Sequence, residues 1–188
     1  MQHPLVKEIL LSKEEIETRV KELGKEVSDY YKSQQVKDNT VILVGLLKGC
    51  VPFMAKFIEN FDYQCQTEYM KVSSYEGTTQ STGKVNVLLD LGVSIEEKTV
   101  LLVEDIIDTG LTVQYVKEYL LARKPKDVKI IALVDKPEGR KVEVNLDWCG
   151  FSIPNKFVVG CGLDYDERLR NLPYIAVCDT DKLDDWKW

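Results

Sequence analysis

Residues 100–112 read Val-Leu-Leu-Val-Glu-Asp-Ile-Ile-Asp-Thr-Gly-Leu-Thr, an apolar run that passes into three acids, two threonines and a glycine. Four consecutive apolar residues predict a strand buried on both faces, and the helical spacing that resumes at Leu111 predicts an α/β layered sheet. Ligands bind such sheets at the carboxyl ends of the strands. We therefore expect a ligand site where this strand meets the next helix.

The loop between this strand and the helix has the composition of a phosphate cradle. It offers small side chains, hydroxyl donors and successive backbone N–H groups at a helix N-terminus, which suit a phosphate dianion. These residues are Asp108, Thr109, Gly110, Leu111 and Thr112. The carboxylates of Glu104 and Asp105 just upstream would repel a phosphate unless a divalent cation or a ribose lay between. The alternative is a strand followed by a turn with Asp108 as a simple helix N-cap.

Composition is typical of one enzyme-sized domain spanning residues 1–188. The chain is 44% hydrophobic and 30% charged, with a net charge of −6 and a pI near 5.0, which argues against a basic nucleic-acid-binding surface. Its five cysteines form no C-x-x-C pair, so we expect reduced, packed thiols and a cytoplasmic protein. We expect no signal peptide, and no apolar run approaches 18 residues, so we expect neither secretion nor membrane association.

The remaining pattern predicts alternating helices and strands. Ser12 followed by Glu15 matches a capping box, and apolar residues then recur at helical spacing. Pro52 suits the first turn of a second helix. Strands are predicted over residues 41–47, 63–72, 85–89, 98–103 and 128–134, and a third helix over residues 111–123. Residues 73–84 are polar and lack periodicity, so they predict a loop that is either functional or a disordered excursion.

Beyond residue 134 the pattern departs from a plain open sheet. Residues 147–151 and 157–161 predict short strands with no long helix between them. We assign them to a small accessory layer, or hood, formed by residues 1–11 and 141–188 over a core of residues 36–140. The predicted fold is a doubly wound, mainly parallel sheet flanked by helices, with this hood.

Six blocks in this order resemble the hypoxanthine-guanine branch of the phosphoribosyltransferases, in a form similar to the bacterial members. The resemblance covers about residues 43–177. The blocks are Leu47-Lys48-Gly49, Ser74-Tyr75, the acidic loop, Asp135-Lys136-Pro137, Lys156-Phe157-Val158-Val159-Gly160, and Leu163-Asp164-Tyr165 through Arg170. The resemblance implies a purine salvage enzyme that transfers the 5-phosphoribosyl group of phosphoribosyl pyrophosphate to N9 of hypoxanthine, and of guanine.

The resemblance also implies a role for individual residues. Asp108 would be the catalytic base or acid at purine N7. Lys48, Gly49, Ser74, Tyr75 and Arg170 would meet pyrophosphate, with a cis peptide at Leu47-Lys48, while Glu104 and Asp105 would hold the ribose hydroxyls and residues 108–112 the 5′-phosphate. Lys136, Phe157, Val158 and Asp164 would form the purine side. Glu104, Asp105 and Asp164 would be the metal ligands, and the implied ion is Mg²⁺.

The implied partners are the two small-molecule substrates and further copies of this chain, in a homodimer or homotetramer. Three other classes stay open. A receiver-type signalling domain also uses an acid pair and a strand-end lysine, but its acid pair closes the first strand. A regulatory homologue that binds nucleotides and RNA would need a basic face. A xanthine-guanine or pyrimidine phosphoribosyltransferase shares most of the motifs.

Overall fold

The computed structural model describes residues 3–74, 85–183 and 186, and these residues form nine strands and three α-helices. The strands are β1 Val6–Leu11, β2 Val41–Leu46, β3 Cys65–Ser74, β4 Val85–Leu89, β5 Thr99–Ile107, β6 Asp127–Asp135, β7 Trp148–Ser152, β8 Val158–Val159 and β9 Ile175–Cys178. The helices are α1 Lys13–Ser33, α2 Val51–Asn60 and α3 Leu111–Leu121. The Ser12–Glu15 capping box of α1 is present, and Pro52 lies in the first turn of α2, as predicted.

A six-stranded sheet in the order β4-β3-β2-β5-β6-β7 forms the centre of the molecule. All neighbouring pairs are parallel except β3 with the edge strand β4. One face packs against α1 and α2, through residues such as Leu23, Phe53 and Leu101. The other face packs against α3, through residues such as Val116 and Leu102. The predicted doubly wound sheet with helices on both faces is confirmed.

The predicted hood is a separate antiparallel sheet in the order β1-β9-β8. It joins the N-terminal strand to two strands near the C-terminus, through pairs such as Leu11 with Ile175 and Val158 with Val177. Strand β9 was not predicted, because Ile175–Cys178 is too short to show periodicity of its own.

Assigning residues 147–151 to the hood was wrong. These residues largely coincide with β7, which pairs in parallel with β6 in the main sheet, Ile131 opposite Trp148 and Asp135 opposite Ser152. The prediction that residues 147–151 belong to the hood rested on the absence of a long helix between them and residues 157–161. The irregular connection through residues 136–147 is nevertheless long enough to return the chain to the same edge. The central sheet therefore extends to Ser152.

Two strand ends near the site lie beyond their predicted positions. β5 continues through Glu104 and Asp105 to Ile107, because its ladder with β6 persists to the pair Ile107–Asp135. The expected loop over residues 73–84 begins later, since Ser73 and Ser74 pair with β4. Residues 75–84, including Tyr75, lie outside the described part of the chain.

Candidate active site

A cleft of roughly 270 Å³ lies at the carboxyl edge of the central sheet, where β2 and β5 end. Its lining residues come from the ends of both strands, from the turn after β2, from β3, and from the loop into α3 and the first turn of that helix. They are Leu46, Leu47, Gly49, Val72, Glu104, Asp105, Ile106, Ile107, Asp108, Thr109, Gly110, Thr112 and Val113. Seven of the predicted site residues are thus brought together in one cleft.

Glu104 and Asp105 place two carboxyl groups in this cleft at the end of a buried strand. Burial raises the pKa of Glu104 well above its usual range, and the neighbouring Asp105 charge raises it further. Burial likewise raises the pKa of Asp105 to about 6, against a lowering by two backbone N–H groups and by Arg170. Because alternate strand residues face opposite sides, the two acids flank the strand end instead of pointing the same way.

Gly49 presses its backbone against Asp105. A Cβ atom at position 49 would lie 1.7 Å from Oδ2 of Asp105, so a larger residue would displace that carboxylate. A Cβ atom at position 162 would in turn lie 2.0 Å from the carbonyl oxygen of Gly49, and Gly162 has a φ of +102°. The peptide bond between Leu47 and Lys48 is cis, as expected. Two glycines therefore allow the turn after β2 to lie between the acid pair and the hood.

The loop into α3 has the form expected of an anion site. Gly110 is the N-cap of α3, with a φ of +83° and no side-chain cap. The alternative of Asp108 as N-cap is therefore wrong. A Cβ atom on Gly110 would lie 2.7 Å from the Val144 side chain. The side chain of Leu111 is about half exposed and does not line the cleft, and its backbone N–H donates to Oγ1 of Thr109 at 3.4 Å.

Lys136 and Asp108 form an ion pair beside the cleft. The Lys136 ammonium, which is almost fully buried, lies 2.9 Å from Oδ2 of the half-exposed Asp108 carboxylate. Gly139 lies close on the other side, where a Cβ atom would be 2.6 Å from Oδ1 of Asp108. Arg140 also pairs with Asp135 and donates to the Asp108 carbonyl oxygen at 2.7 Å.

A second polar cluster lies where the turn after β2 meets the hood. Oε2 of Glu167 is 2.9 Å from Nζ of Lys48 and 3.2 Å from Nη2 of Arg170. These two hydrogen bonds, with Lys48 the stronger, hold the pKa of Glu167 below its usual range. Arg170 also pairs with Asp164 at 2.7 Å and donates to the Gly162 carbonyl oxygen at 2.8 Å.

Two of the four residues predicted for the purine side, Phe157 and Val158, lie where β8 of the hood sheet begins. Phe157 is 44% exposed, and its ring meets Tyr165 edge to face at a centroid distance of 6.1 Å. An exposed phenyl ring next to a second aromatic is available for stacking on a flat heterocycle. Val158 is buried in β8, opposite Val177. Its side chain packs inward, so only its backbone is suited to meet a base.

The predicted metal ligands do not form one cage. In the described ranges no group of three or more His, Cys, Asp and Glu residues could hold a metal ion. Glu104 and Asp105 lie at the end of β5, whereas Asp164 is bound to Arg170. A site with so few carboxylates fits a cation that takes its remaining ligands from water and substrate oxygens, as Mg²⁺ does.

Four residues of this region were not predicted from the sequence: Gly139, Arg140, Gly162 and Glu167. Gly139 and Arg140 directly follow the Asp135-Lys136-Pro137 block, and Gly162 and Glu167 lie inside or beside the last block. Nothing in the sequence distinguishes these residues from ordinary turn and surface residues. Their contacts depend on chain segments that are far apart in sequence, such as Glu167 with Lys48.

Three kinds of comparison point to one family. Residues 7–166 match the model of the phosphoribosyl transferase domain. The hypoxanthine-guanine phosphoribosyltransferase of Bacillus subtilis (strain 168) is 47% identical over 177 residues, covering 94% of this chain and 95% of that protein. A hypoxanthine phosphoribosyltransferase from Staphylococcus aureus superposes with a TM-score of 0.89 at 42% identity and covers 96% of both chains. The hypoxanthine phosphoribosyltransferase from Trypanosoma cruzi, in complex with the product IMP, superposes with a TM-score of 0.89 at 39% identity. The match covers 96% of this chain and 98% of that chain.

Proposed function

The chain belongs to the phosphoribosyltransferase family, and from this premise we propose its reaction and the residues that perform it. It is a purine salvage enzyme, a pentosyltransferase that moves the 5-phosphoribosyl group of phosphoribosyl pyrophosphate to N9 of hypoxanthine. The products are IMP and pyrophosphate, and guanine gives GMP.

The observation that carries the 6-oxopurine assignment is the contact between Lys136 and Asp108. A 6-oxopurine presents its 6-oxo oxygen and N7 on the same edge, where an ammonium donor and a carboxylate side by side can meet both atoms. Lys136 would donate to the oxo group, and Asp108 would accept a proton from or return it to N7. Deprotonation at N7 makes N9 the better nucleophile.

The rest of the base would be held by the hood. Phe157 would stack on the ring, and the backbone of Val158 would meet its polar edge. Asp164 lies on the same side, where it also positions Arg170 through their ion pair at 2.7 Å.

The ribose and its phosphate would occupy the cleft at the end of β5. The acids Glu104 and Asp105 would accept hydrogen bonds from the ribose hydroxyls. Residues 108–112 would surround the 5′-phosphate with the backbone N–H groups of Thr109, Gly110 and Leu111 and the hydroxyls of Thr109 and Thr112. A helix N-terminus with small residues favours such a dianion without a net positive charge on the protein.

Pyrophosphate would lie between the turn after β2 and the hood. Lys48 and Arg170 supply the cations there, the backbone of Gly49 supplies a donor, and we assign Ser74 and Tyr75 to the same ligand from the family resemblance. Breaking the bond at ribose C1′ leaves negative charge on pyrophosphate, and fixed cations stabilise that charge in the transition state.

Mg²⁺ fits the acids of this cleft, because Glu104 and Asp105 are buried carboxyl groups whose ionisation is disfavoured unless a cation is near. The residues that would hold it, together with substrate oxygens, are Glu104, Asp105 and Asp164. When bound, the ion neutralises part of the pyrophosphate charge.

We further propose that residues 1–188 act as one domain, in a homodimer or homotetramer. The net charge of −6 gives no support to a nucleic-acid partner, which also disfavours an RNA-binding regulatory homologue. Cys50, Cys65, Cys149, Cys161 and Cys178 are all free thiols, which supports a cytoplasmic location. In the described residues no helix is long and apolar enough to span a membrane.

The test is turnover of each base with phosphoribosyl pyrophosphate and Mg²⁺: hypoxanthine, guanine, xanthine, adenine and the pyrimidines. We expect hypoxanthine and guanine to react and adenine to fail, because its 6-amino group would oppose a buried ammonium donor. Preferred use of xanthine, or of a pyrimidine, would instead identify the chain as a xanthine-guanine or a pyrimidine phosphoribosyltransferase.

A further inference from the structure

Residues 136–141 run along the loop that carries Asp108 and hold it at four points. The N–H of Lys136 donates to the Ile107 carbonyl oxygen at 2.9 Å, and the ammonium of Lys136 pairs with the Asp108 carboxylate at 2.9 Å. Nη1 of Arg140 donates to the Asp108 carbonyl oxygen at 2.7 Å, and the N–H of Lys141 donates to the Thr109 carbonyl oxygen at 2.9 Å. Only one of these four contacts is made by the predicted catalytic carboxylate itself.

Arg140 is the link between this loop and the sheet. One nitrogen of its guanidinium binds the Asp108 carbonyl oxygen, and another binds the carboxylate of Asp135, the last residue of β6. The side chains of Arg140 and Asp135 are each about four-fifths buried. A guanidinium suits this position, because its planar fork donates in two directions and keeps its charge when buried.

These contacts set the direction of two peptide planes. In a trans peptide the N–H points opposite to the C=O of the preceding residue. The Asp108 carbonyl is directed at Arg140, so the N–H of Thr109 points away from residues 136–141. The Thr109 carbonyl is directed at the N–H of Lys141, so the N–H of Gly110 also points away from residues 136–141. Within the described residues, neither N–H donates to another backbone group outside helices and strands.

We propose that Arg140 is a positioning residue for the reaction, acting through the Asp108–Thr109 peptide. It orients the N–H groups that meet the 5′-phosphate and fixes the backbone from which the Asp108 carboxylate extends. This inference rests on the proposed function, because it takes the 5′-phosphate as the ligand of the loop.

The experiment compares Arg140→Met and Arg140→Lys with the wild type. Met keeps most of the length of the side chain without its donors, whereas Lys keeps the charge but has a single donor nitrogen. The matched control is Arg123→Met, which breaks an ion pair with Asp90 at the far end of α3. Binding of IMP and of inosine is measured by calorimetry, since these ligands differ only in the 5′-phosphate, and steady-state kinetics are measured with both substrates.

We expect Arg140→Met to weaken IMP binding about 10- to 100-fold, the range for loss of a charged hydrogen bond. Inosine binding should change less than about 3-fold. The KM for phosphoribosyl pyrophosphate should rise more than that for hypoxanthine, and Arg140→Lys should recover part of both losses. A third variant, Arg140→Ala, should regain part of its activity in millimolar guanidinium ion. Arg123→Met should behave as the wild type.

If Arg140→Met weakened the binding of IMP and of inosine equally, Arg140 would have a purely structural role. If it left IMP binding unchanged, Arg140 would have no role in the loop. Either result overturns the inference. Failure of the wild type to convert hypoxanthine would instead contradict the proposed function, and it is observed independently of any Arg140 variant.

Discussion

The ammonium of Lys136 lies 2.9 Å from the carboxylate of Asp108, although 27 residues separate the two in sequence. The register of the sheet explains this contact. Ile107 and Asp135 are partners at the end of the β5–β6 ladder, so the next residue on each strand, Asp108 and Lys136, must emerge side by side. A cation and an anion so placed hold each other, and in the proposed function they would meet the 6-oxo group and N7 of the purine.

Removal of the Lys136 ammonium should impair use of the base. Because a charged hydrogen bond contributes roughly 1.5–3 kcal/mol, we expect Lys136→Ala to lower kcat/KM for hypoxanthine about 10- to 100-fold. Steady-state kinetics with varied hypoxanthine measure this change. Lys98→Ala, which breaks the ion pair with Asp38 on another surface, is the control. Kinetics of Lys136→Ala equal to those of the control would leave Lys136 a structural lysine.

Asp108→Asn tests the proton transfer. Asn keeps an oxygen that can accept from Lys136 but cannot take a proton from N7, so we expect kcat to fall about 10²- to 10⁴-fold. Phosphoribosyl pyrophosphate binding, followed by calorimetry, should be largely retained. Asp62→Asn, which alters an exposed pair with Lys32, serves as the control. Loss of binding with kcat preserved at saturation would place the base at another residue.

The pKa of Asp105, about 6, predicts how substrate binding depends on pH. Metal ligation requires the ionised carboxylate, so the KM for phosphoribosyl pyrophosphate with Mg²⁺ should rise as the pH falls through about 6. Binding near that pH should release protons, which calorimetry in buffers of different ionisation enthalpy detects. A KM that is flat from pH 5 to pH 8 would contradict a role for this carboxyl group in binding.

The same shift predicts that Asp105→Asn stabilises the free protein. The folded state binds this proton more tightly than the unfolded chain, whose pKa is near 3.8, so the free energy of unfolding falls as the pH rises from about 4 to about 6. At pH 7.5 the variant should gain on the order of 2 kcal/mol, or roughly 4–8 °C in Tm, while it loses activity. Asp29→Asn, whose pKa is lowered by Lys25, should not gain stability.

Glu167 is expected to compete with pyrophosphate for Lys48 and Arg170. Its single carboxylate oxygen bridges the two cations that we assign to that ligand. Glu167→Gln should therefore tighten pyrophosphate binding about two- to five-fold at low salt, the range for an exposed ion pair, with less difference at high salt. Glu97→Gln, which removes a similar pair with Lys37, is the control. Weaker pyrophosphate binding by Glu167→Gln would show instead that Glu167 supports the two cations.

Local pattern predicted most of the fold. Helical spacing and a capping box identified α1, and uninterrupted apolar runs identified β2, β5 and β6, because these signals depend only on residues near in sequence. The boundaries and the place of β7 were not available in this way. Whether residues 147–151 join the main sheet or the hood depends on which strand edge is free, and periodicity carries no information about distant partners.

The sequence by itself predicted a glycine-containing loop between β5 and α3, because an apolar run that passes into Asp-Thr-Gly-Leu-Thr and then into helical spacing is a local property of residues 100–120. It also determined which residue types reach the carboxyl edge of the sheet. Only the tertiary structure decided which of them meet: Lys136 with Asp108, Arg140 with the Asp108 carbonyl oxygen, and Glu167 with Lys48 and Arg170. Strand register and crossovers create these contacts between segments far apart in the chain, and no local preference encodes them.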